Sequence, residues 1–427
     1  MVTVTMGGAG LYVHVPFCRR KCLYCSFVSF PLPAAGAEAS PDCCNGYGVP
    51  DVPAYLAALQ REMAVLAQRP DVRLTRFSSI YIGGGTPTVL APEQLAAVLS
   101  WARQLAGVTG TGVTGTGVTG TGVDGTGLDR RREQVAGMEI TVEANPGTLT
   151  PRHLQVLKEA GVNRLSLGVQ SFHDHELKVL GRLHTADEAR QSFALAREAG
   201  FDNINIDLMF GIPGQSETSF YQSLQAALRL HPEHLSCYGL TVEEGTPLES
   251  LLQAGEYILP GEEAELAQFH LARQLLTAAG YIHYEISNYA RPGRECRHNM
   301  LYWHLEPYLG VGLGAHSYWG GRRLANPDRL EIYCRLVTGK GCPAECEREA
   351  DPAADMDEAM FLGLRTLAGV DDAWFAKRFG HSLFNIYNDA IERLVDKGLV
   401  YIAGQRLRLS ERGLPLANQV FVEFLRA

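Results

Sequence analysis

No apolar run in this chain of 427 residues reaches the roughly 20 residues that cross a bilayer, so nothing here predicts a membrane span. A basic excess is missing as well. Lys and Arg number 38 against 47 Asp and Glu, a net charge of −9. Wrapping a phosphate backbone wants a basic face, so no nucleic-acid partner is expected. The first ten residues, MVTVTMGGAG, lack the basic start and apolar core of a secretory signal. Cysteine, at ten residues in so long a chain, is too sparse for a disulfide scaffold and suits a reducing, cytoplasmic compartment. What is present is a hydrophobic fraction of 46%, enough for a sizeable core, in a length that suits one large domain plus a smaller one.

Three cysteines carry most of the information. Cys18, Cys22 and Cys25 lie in LYVHVPFCRRKCLYCSF, directly after an apolar run from Leu11 to Val15 that reads as a strand. Three thiolates on one tight loop suit three irons of a cubane cluster, whereas four would close a cluster or a structural zinc site. A three-ligand site leaves one metal corner open to exogenous chemistry. A redox dithiol, half a zinc site and free thiols are the competing explanations, and the x3/x2 triplet after a strand favours the cluster. A further pair, Cys342 and Cys346, has no third cysteine nearby and reads as unpaired thiols. The triplet's spacing resembles the signature of the radical SAM superfamily. That resemblance implies a [4Fe–4S] cluster whose open iron is chelated by the amino and carboxylate groups of S-adenosylmethionine (SAM). It also implies reductive cleavage of that molecule to a 5′-deoxyadenosyl radical.

The rest of the chain has a repeating rhythm of amphipathic helix, glycine and apolar strand. LQVLKEAG leads to VNRLSLGVQSF, ALAREAG to FDNINIDLMFGIPG, and ARQLLTAAG to YIHYEISNY. Gly161, Gly200 and Gly280 stand where each helix would end in a left-handed cap. FSSIYIGGG, MEITVEANP and HLSCYGLTVE are further strands. Strands alternating with helices predict parallel βαβ units, hence an α/β fold built as a partial, open TIM-like barrel. Ligands of such barrels bind at the C-terminal strand ends, where every polar motif of this chain is expected to lie. Two segments break the rhythm. Residues 31–50, rich in Pro, Ala and Gly and carrying Cys43 and Cys44, read as a surface insertion; residues 107–127 repeat GVTGT and read as a flexible, solvated one. Beyond about residue 350 the pattern predicts a small winged-helix-like α+β module with a docking or covering role.

Several polar residues stand at predicted strand ends. Gly83-Gly84-Gly85-Thr86-Pro87 follows SSIYI, and its glycines would let the backbone approach a ligand, although a tight turn explains them equally well. Glu143 in TVEANP, Gln170 in LGVQSF and Asp207 in INIDLMFGIPGQ would be costly to bury without a partner, which a ribose diol or an ammonium group supplies. Arg182 in VLGRLH can fork onto a carboxylate. Internal hydrogen bonds from strand to helix are the alternative for each. Taken together, on successive strands, they favour a small polar cofactor.

In this order, LYVHVPFC, GGGTP, TVEANP, LGVQSF and DLMFGIPGQ resemble the family of oxygen-independent coproporphyrinogen III oxidases and their relatives, over nearly the whole chain. The resemblance implies that Tyr12, Gly84, Glu143, Gln170, Arg182 and His316 contact SAM. It places Tyr24, Gly85, Thr86 and Asp207 at positions lining a second SAM site in the oxidases. Three departures point elsewhere. The oxidases have a fourth cysteine two residues past the third, and this chain has Phe27 there. They have a long extension before the cluster strand, which here starts almost at the N-terminus. And His298-Asn299-Met300-Leu301-Tyr302-Trp303 matches the HNxxYW motif of the HemW-like heme-chaperone branch. That branch implies heme as a third bound group, His298 as its axial ligand and Tyr302 and Trp303 stacked on the macrocycle. Cys296, His304 and His316 are rival ligands, and a purely local hydrogen bond is the plainer role for His298.

Regions are expected at 1–240 for the core barrel with its insertion, 241–349 for barrel completion and the HNxxYW motif, and 350–427 for the C-terminal module. The branch further implies heme-acceptor proteins, one of them transiently membrane-associated, an electron donor such as flavodoxin or ferredoxin, and a homodimer. The functional expectation is a heme chaperone, with oxygen-independent coproporphyrinogen III oxidase as the alternative.

Overall fold

The computed structural model describes residues 8–32, 51–108 and 137–426. The stretch 31–50 with Cys43 and Cys44, and the GVTGT tract, lie almost wholly outside the described residues. None of the described helices is long and apolar enough to cross a membrane.

Strand alternation explains the architecture. In Ala9–Val15, Leu11, Val13 and Val15 are fully buried in the hydrophobic core, while Tyr12 and His14 face the other way. Ile80 and Ile82 alternate likewise with Ser79 and Tyr81 in Phe77–Gly84, and Ile140 and Val142 with Thr141 and Glu143 in Glu139–Ala144. Leu165 and Leu167 alternate with Arg164 and Ser166 in Arg164–Gln170, and Ile206 and Leu208 with Asn205 and Asp207 in Ile204–Phe210. The apolar side takes the covering helices. The polar side forms an interior whose side chains bond to one another across strands, as Asn205 does to Ser166 and Tyr81 to Glu143.

The strands Tyr308–Val311, Ala9–Val15, Phe77–Gly84, Glu139–Ala144, Arg164–Gln170, Ile204–Phe210 and His234–Gly239 pair side by side in this order, all parallel. Gly161, Gly200 and Gly280 have positive φ of 81°, 82° and 84° at the helix ends where caps were expected. Both flanks turn antiparallel. His316–Trp319, Arg322–Ala325 and Glu345–Arg348 extend one edge. Ile282–Glu285 and Asn288–Ala290 extend the other. The edges do not bond to each other, so the barrel stays open.

This corrects the expectation for YIHYEISNY. It is a hairpin, not another parallel unit. Only Ile286 and Ser287 join its two strands, and a connection that short allows antiparallel pairing alone.

The C-terminal module begins with helix Pro352–Leu364. Its small antiparallel sheet of Val370–Asp371, Arg406–Leu409 and Val400–Ala403 packs with helices Asp372–Phe379, Asn388–Asp396 and Ala417–Val422. Backbone bonds from Leu367 N–H to Tyr284 O (3.1 Å) and from Ile286 N–H to Arg365 O (3.1 Å) tie it to the barrel edge. Arg378 donates to Leu305 O at 2.8 Å.

Candidate functional site

The cysteine loop leaves the C-terminal end of Ala9–Val15 and is docked at both flanks. Phe30 N–H bonds to Pro16 O (2.7 Å) and Leu32 N–H to Cys18 O (2.8 Å). Leu23 N–H bonds to Leu180 O, and Leu248 N–H to Leu23 O. Leu23 and Tyr24 sit in a separate apolar cluster with Val179, Leu180, Met209, Ile212, Leu240 and Leu248. Tyr24 therefore helps to anchor the loop. Cys18, Cys22 and Cys25 are all free and half-buried.

An arc of side chains links two of these thiols. Thr86 Oγ1 donates to Cys18 Sγ (3.6 Å), and Asn145 Nδ2 donates to Thr86 Oγ1 (2.8 Å). Arg182 Nη2 donates to Asn145 Oδ1 (2.7 Å) and to Gly168 O, and Arg182 Nη1 donates to Cys22 Sγ (3.4 Å). Gly168 makes room: a Cβ there would lie 2.8 Å from Asn145 Oδ1. Burial pushes the Cys18 thiol up to about 11, with the Thr86 hydrogen bond opposing. Coordination to a metal removes a thiol proton outright, and donors aimed at sulfur favour the thiolate.

Among the described residues no three ligand side chains are gathered around one point, as a single ion needs. A cubane binds each cysteine at a different iron, and this loop offers three free, half-buried thiols for three of them. The residues fit the group on that ground and on the donors that Thr86 and Arg182 direct at sulfur.

The Gly83-Gly84-Gly85 turn is shaped first by packing. Gly85 N–H continues the ladder to Val15 O (2.9 Å) and Thr86 N–H to Phe17 O (2.7 Å). A Cβ on Gly85 would stand 2.6 Å from Phe17 O, one on Gly83 2.7 Å from the Glu143 carboxyl, and one on Gly84 inside the His14 ring. Gly84 has φ +106° and its N–H donates to Glu143 Oε2 (3.1 Å). Glu143 also accepts from Tyr81 OH (2.7 Å). Burial holds its carboxyl up at about 7, with Asp207 adding to the rise and the Tyr81 bond opposing. Asp207, beside Asn205 Nδ2 (2.6 Å), is raised by burial too. Gln170 adopts φ +70°, a strained backbone for a side-chained residue, and accepts from Tyr238 OH (2.8 Å). Tyr12 OH meets His14 Nδ1 (3.0 Å), and His14 Nε2 meets Val28 O (2.7 Å), fastening the cysteine loop to the barrel wall.

The HNxxYW motif lies elsewhere, which corrects the expectation that every polar motif occupies a C-terminal strand end. It forms helix Arg297–Trp303, whose start is held by Glu139: Oε2 accepts Arg297 N–H and Oε1 accepts His298 N–H, both at 3.2 Å. Glu139 opens its strand, and the other contacts, Gly10 and Ser79, lie early in theirs. The helix therefore plugs the opposite end of the barrel. Gly10 has no side chain there because a Cβ would lie 2.9 Å from the His298 ring. His298 is fully buried and both ring nitrogens are engaged, Nδ1 with Ser79 Oγ (2.8 Å) and Nε2 with Tyr302 OH (2.7 Å). Burial, and then the Arg164 charge, hold it neutral, with a pKa of about 3.

Tyr302 and Trp303 lead outward to a cavity of about 460 Å³ that does not include His298. Tyr12, Phe27, Tyr308, His316 and Arg323 also line it. Trp303 Nε1 is buried without a hydrogen-bond partner, and the Arg365 guanidinium lies 4.4 Å from its ring. His316 is exposed, with Nδ1 3.1 Å from Glu347 Oε2. Phe27, the residue in the fourth-cysteine position, is 66% exposed at the rim.

With the cluster loop, the polar interior and the cavity in place, comparison with known proteins becomes specific. The radical SAM superfamily pattern matches residues 12–227, and the HemN C-terminal domain pattern matches residues 350–416. The heme chaperone HemW of Bacillus subtilis is 37% identical over 419 residues, 97% of this chain and 98% of that protein. This chain belongs to the HemW family of radical SAM proteins. The Escherichia coli member is 38% identical over 72% of this chain and 69% of its own length. A bovine mitochondrial relative, radical S-adenosyl methionine domain-containing protein 1, is 31% identical over 98% of this chain and 87% of its own. The solved structure of Escherichia coli coproporphyrinogen III oxidase, a radical SAM enzyme, superposes with a TM-score of 0.73 over 98% of this chain and 90% of its own at 22% identity, a likeness of fold. Membership of the superfamily brings the [4Fe–4S] cluster and SAM with it.

Asn145, Gly168 and His14 were not among the residues singled out from the sequence. Asn145 stands two places after Glu143 in TVEANP and could have been found from that spacing. Gly168 and His14 could not, because only the folded sheet shows what they adjoin.

Proposed function

We propose that this protein is a heme chaperone that takes heme into the cavity beside the cysteine loop, carries a [4Fe–4S] cluster and SAM at the barrel mouth, and passes heme to acceptor proteins. The observation that carries the reading is the cavity itself, walled by Tyr302 and Trp303 of the HNxxYW motif with Tyr12, Tyr308 and His316. Flat aromatic walls suit a planar macrocycle. His316, with one nitrogen on Glu347, keeps its other for iron, while His298 steadies Tyr302 from beneath and reaches iron only if that bond opens. The rim residues Phe27 and His316 are exposed, so an acceptor can reach cargo held there. The similarity to proteins named heme chaperones supports the same reading.

At the mouth each residue has a task. Cys18, Cys22 and Cys25 hold the cluster, and Thr86, Asn145 and Arg182 orient the thiolates of Cys18 and Cys22. Glu143, already facing Gly84 and Tyr81, receives the ammonium of SAM. Gln170 and Asp207 face the same interior from the next strands and suit its ribose. Gly85, Thr86 and Tyr24 shape the wall around it. When bound, the cluster and SAM supply one-electron chemistry at this end of the barrel.

Heme titration tests the proposal. Wild type should show a saturable Soret band, Trp303→Ala a Kd weaker by about tenfold, the worth of about 1.4 kcal/mol of lost stacking and area. His316→Ala should change the ferric spectrum. A wild type that binds no heme, or one that turns coproporphyrinogen III into protoporphyrinogen when supplied with SAM and reductant, would overturn it.

A further inference from the structure

Between the first two cluster cysteines stand three consecutive cations, Arg19, Arg20 and Lys21. Arg19 and Arg20 are exposed, Lys21 half-buried, and no ion pair or side-chain hydrogen bond engages any of the three among the described residues. The chain as a whole carries nine more acids than bases, so three unpaired cations on one turn run against its overall charge. Arg19 and Arg20 rim a shallow recess whose floor holds Cys22 and Arg182, with Thr86 and Asn145 beside them. The recess has one acidic lining residue, Glu188, and its carboxylate is taken up by Thr185 at the start of helix Ala186–Glu198. Next to the cations, Leu183 is 58% exposed. This face is separate from the heme cavity, which shares none of these residues.

We propose that the Arg19–Arg20–Lys21 face, with Leu183, is the docking surface for an acidic one-electron carrier protein. This rests on the cluster reading above. Three points support it. Charge is complementary only locally, so an acidic partner is drawn to this spot and repelled by the rest of the surface. An exposed apolar residue set among unpaired charges is the composition of a transient protein contact. And the recess floor is a cluster ligand, so a docked carrier needs no path through the barrel. In the step, the carrier gives up one electron and is oxidised, and the site held by Cys18, Cys22 and Cys25 takes it up and is reduced. No proton or leaving group moves. A nucleic acid fits less well, because three cations confined to one turn cannot follow a phosphate backbone.

The test uses full-length, cluster-loaded protein and measures how fast photoreduced flavodoxin, an acidic carrier, reduces it anaerobically. In wild type the rate should fall at least tenfold between about 20 and 300 mM salt. In R19E/R20E/K21E it should be at least tenfold below wild type at low salt and nearly independent of salt, while reduction by dithionite is unchanged. Should that variant assemble no cluster, Leu183→Glu and the wild-type salt series decide. A salt-independent wild-type rate, an unaffected variant, or equally tight RNA-oligonucleotide binding that the variant loses would each overturn the proposal. Failure of the cluster reading looks different: wild type would then hold no iron after reconstitution.

Discussion

Replacing Glu143 with glutamine should stabilise the protein in the absence of SAM, and only above about pH 5. An ordinary glutamate carboxyl ionises at 4.5, whereas burial holds Glu143 near 7. Between those values the unfolded chain has released a proton that the folded chain keeps, so stability falls as pH rises through this window. The full difference amounts to about 3 kcal/mol at neutral pH. Solvent reaches the half-buried side chain at the barrel mouth, so about half of that is expected. Glutamine keeps an acceptor for Gly84 N–H and removes the charge. Urea midpoints of both proteins at pH 4.5 and pH 8 isolate the effect. They should agree at the lower pH and favour E143Q by about 1–3 kcal/mol at the higher. A variant less stable than wild type by the same amount at both would refute the reasoning. A bound ammonium group restores the carboxylate, so SAM should stabilise cluster-loaded wild type more than E143Q.

Two further perturbations probe the same end of the barrel. Gly85→Ala puts a methyl 2.6 Å from Phe17 O and 2.8 Å from Val15 O, backbone atoms that cannot step aside singly. It should cost about 1–3 kcal/mol and lower iron per chain after reconstitution, and a normal unfolding midpoint with normal iron content would count against this account. Arg182→Met leaves Asn145 Oδ1, Gly168 O and Cys22 Sγ without their shared donor. Its unfolding free energy from urea titration should drop by about 2 kcal/mol and its SAM affinity at least tenfold, with Arg182→Lys intermediate; unchanged SAM binding would separate Arg182 from the site.

The cysteine spacing, the alternating strands and the glycine caps were legible locally, because each is a short-range pattern: a loop's ligand count, a period of two, a positive φ. They determined the open α/β barrel with a thiolate loop at its mouth. What the chain order could not decide was which end of the barrel receives a late segment. Only the folded sheet brings Glu139 beneath Arg297 and His298, which places the HNxxYW helix at the opposite end from Cys18. Only there does His298 find Ser79 and Tyr302 for its two nitrogens, leaving Tyr302, Trp303 and His316 to face the cavity. The hairpin at Ile282–Ala290 turned on a two-residue connection whose strand pairing a sequence period cannot reveal. The helix is placed by contacts between residues far apart in the chain, Glu139 with Arg297 and His298, which exist only in the folded sheet. The hairpin is set by a local turn whose pairing direction the apolar period leaves open.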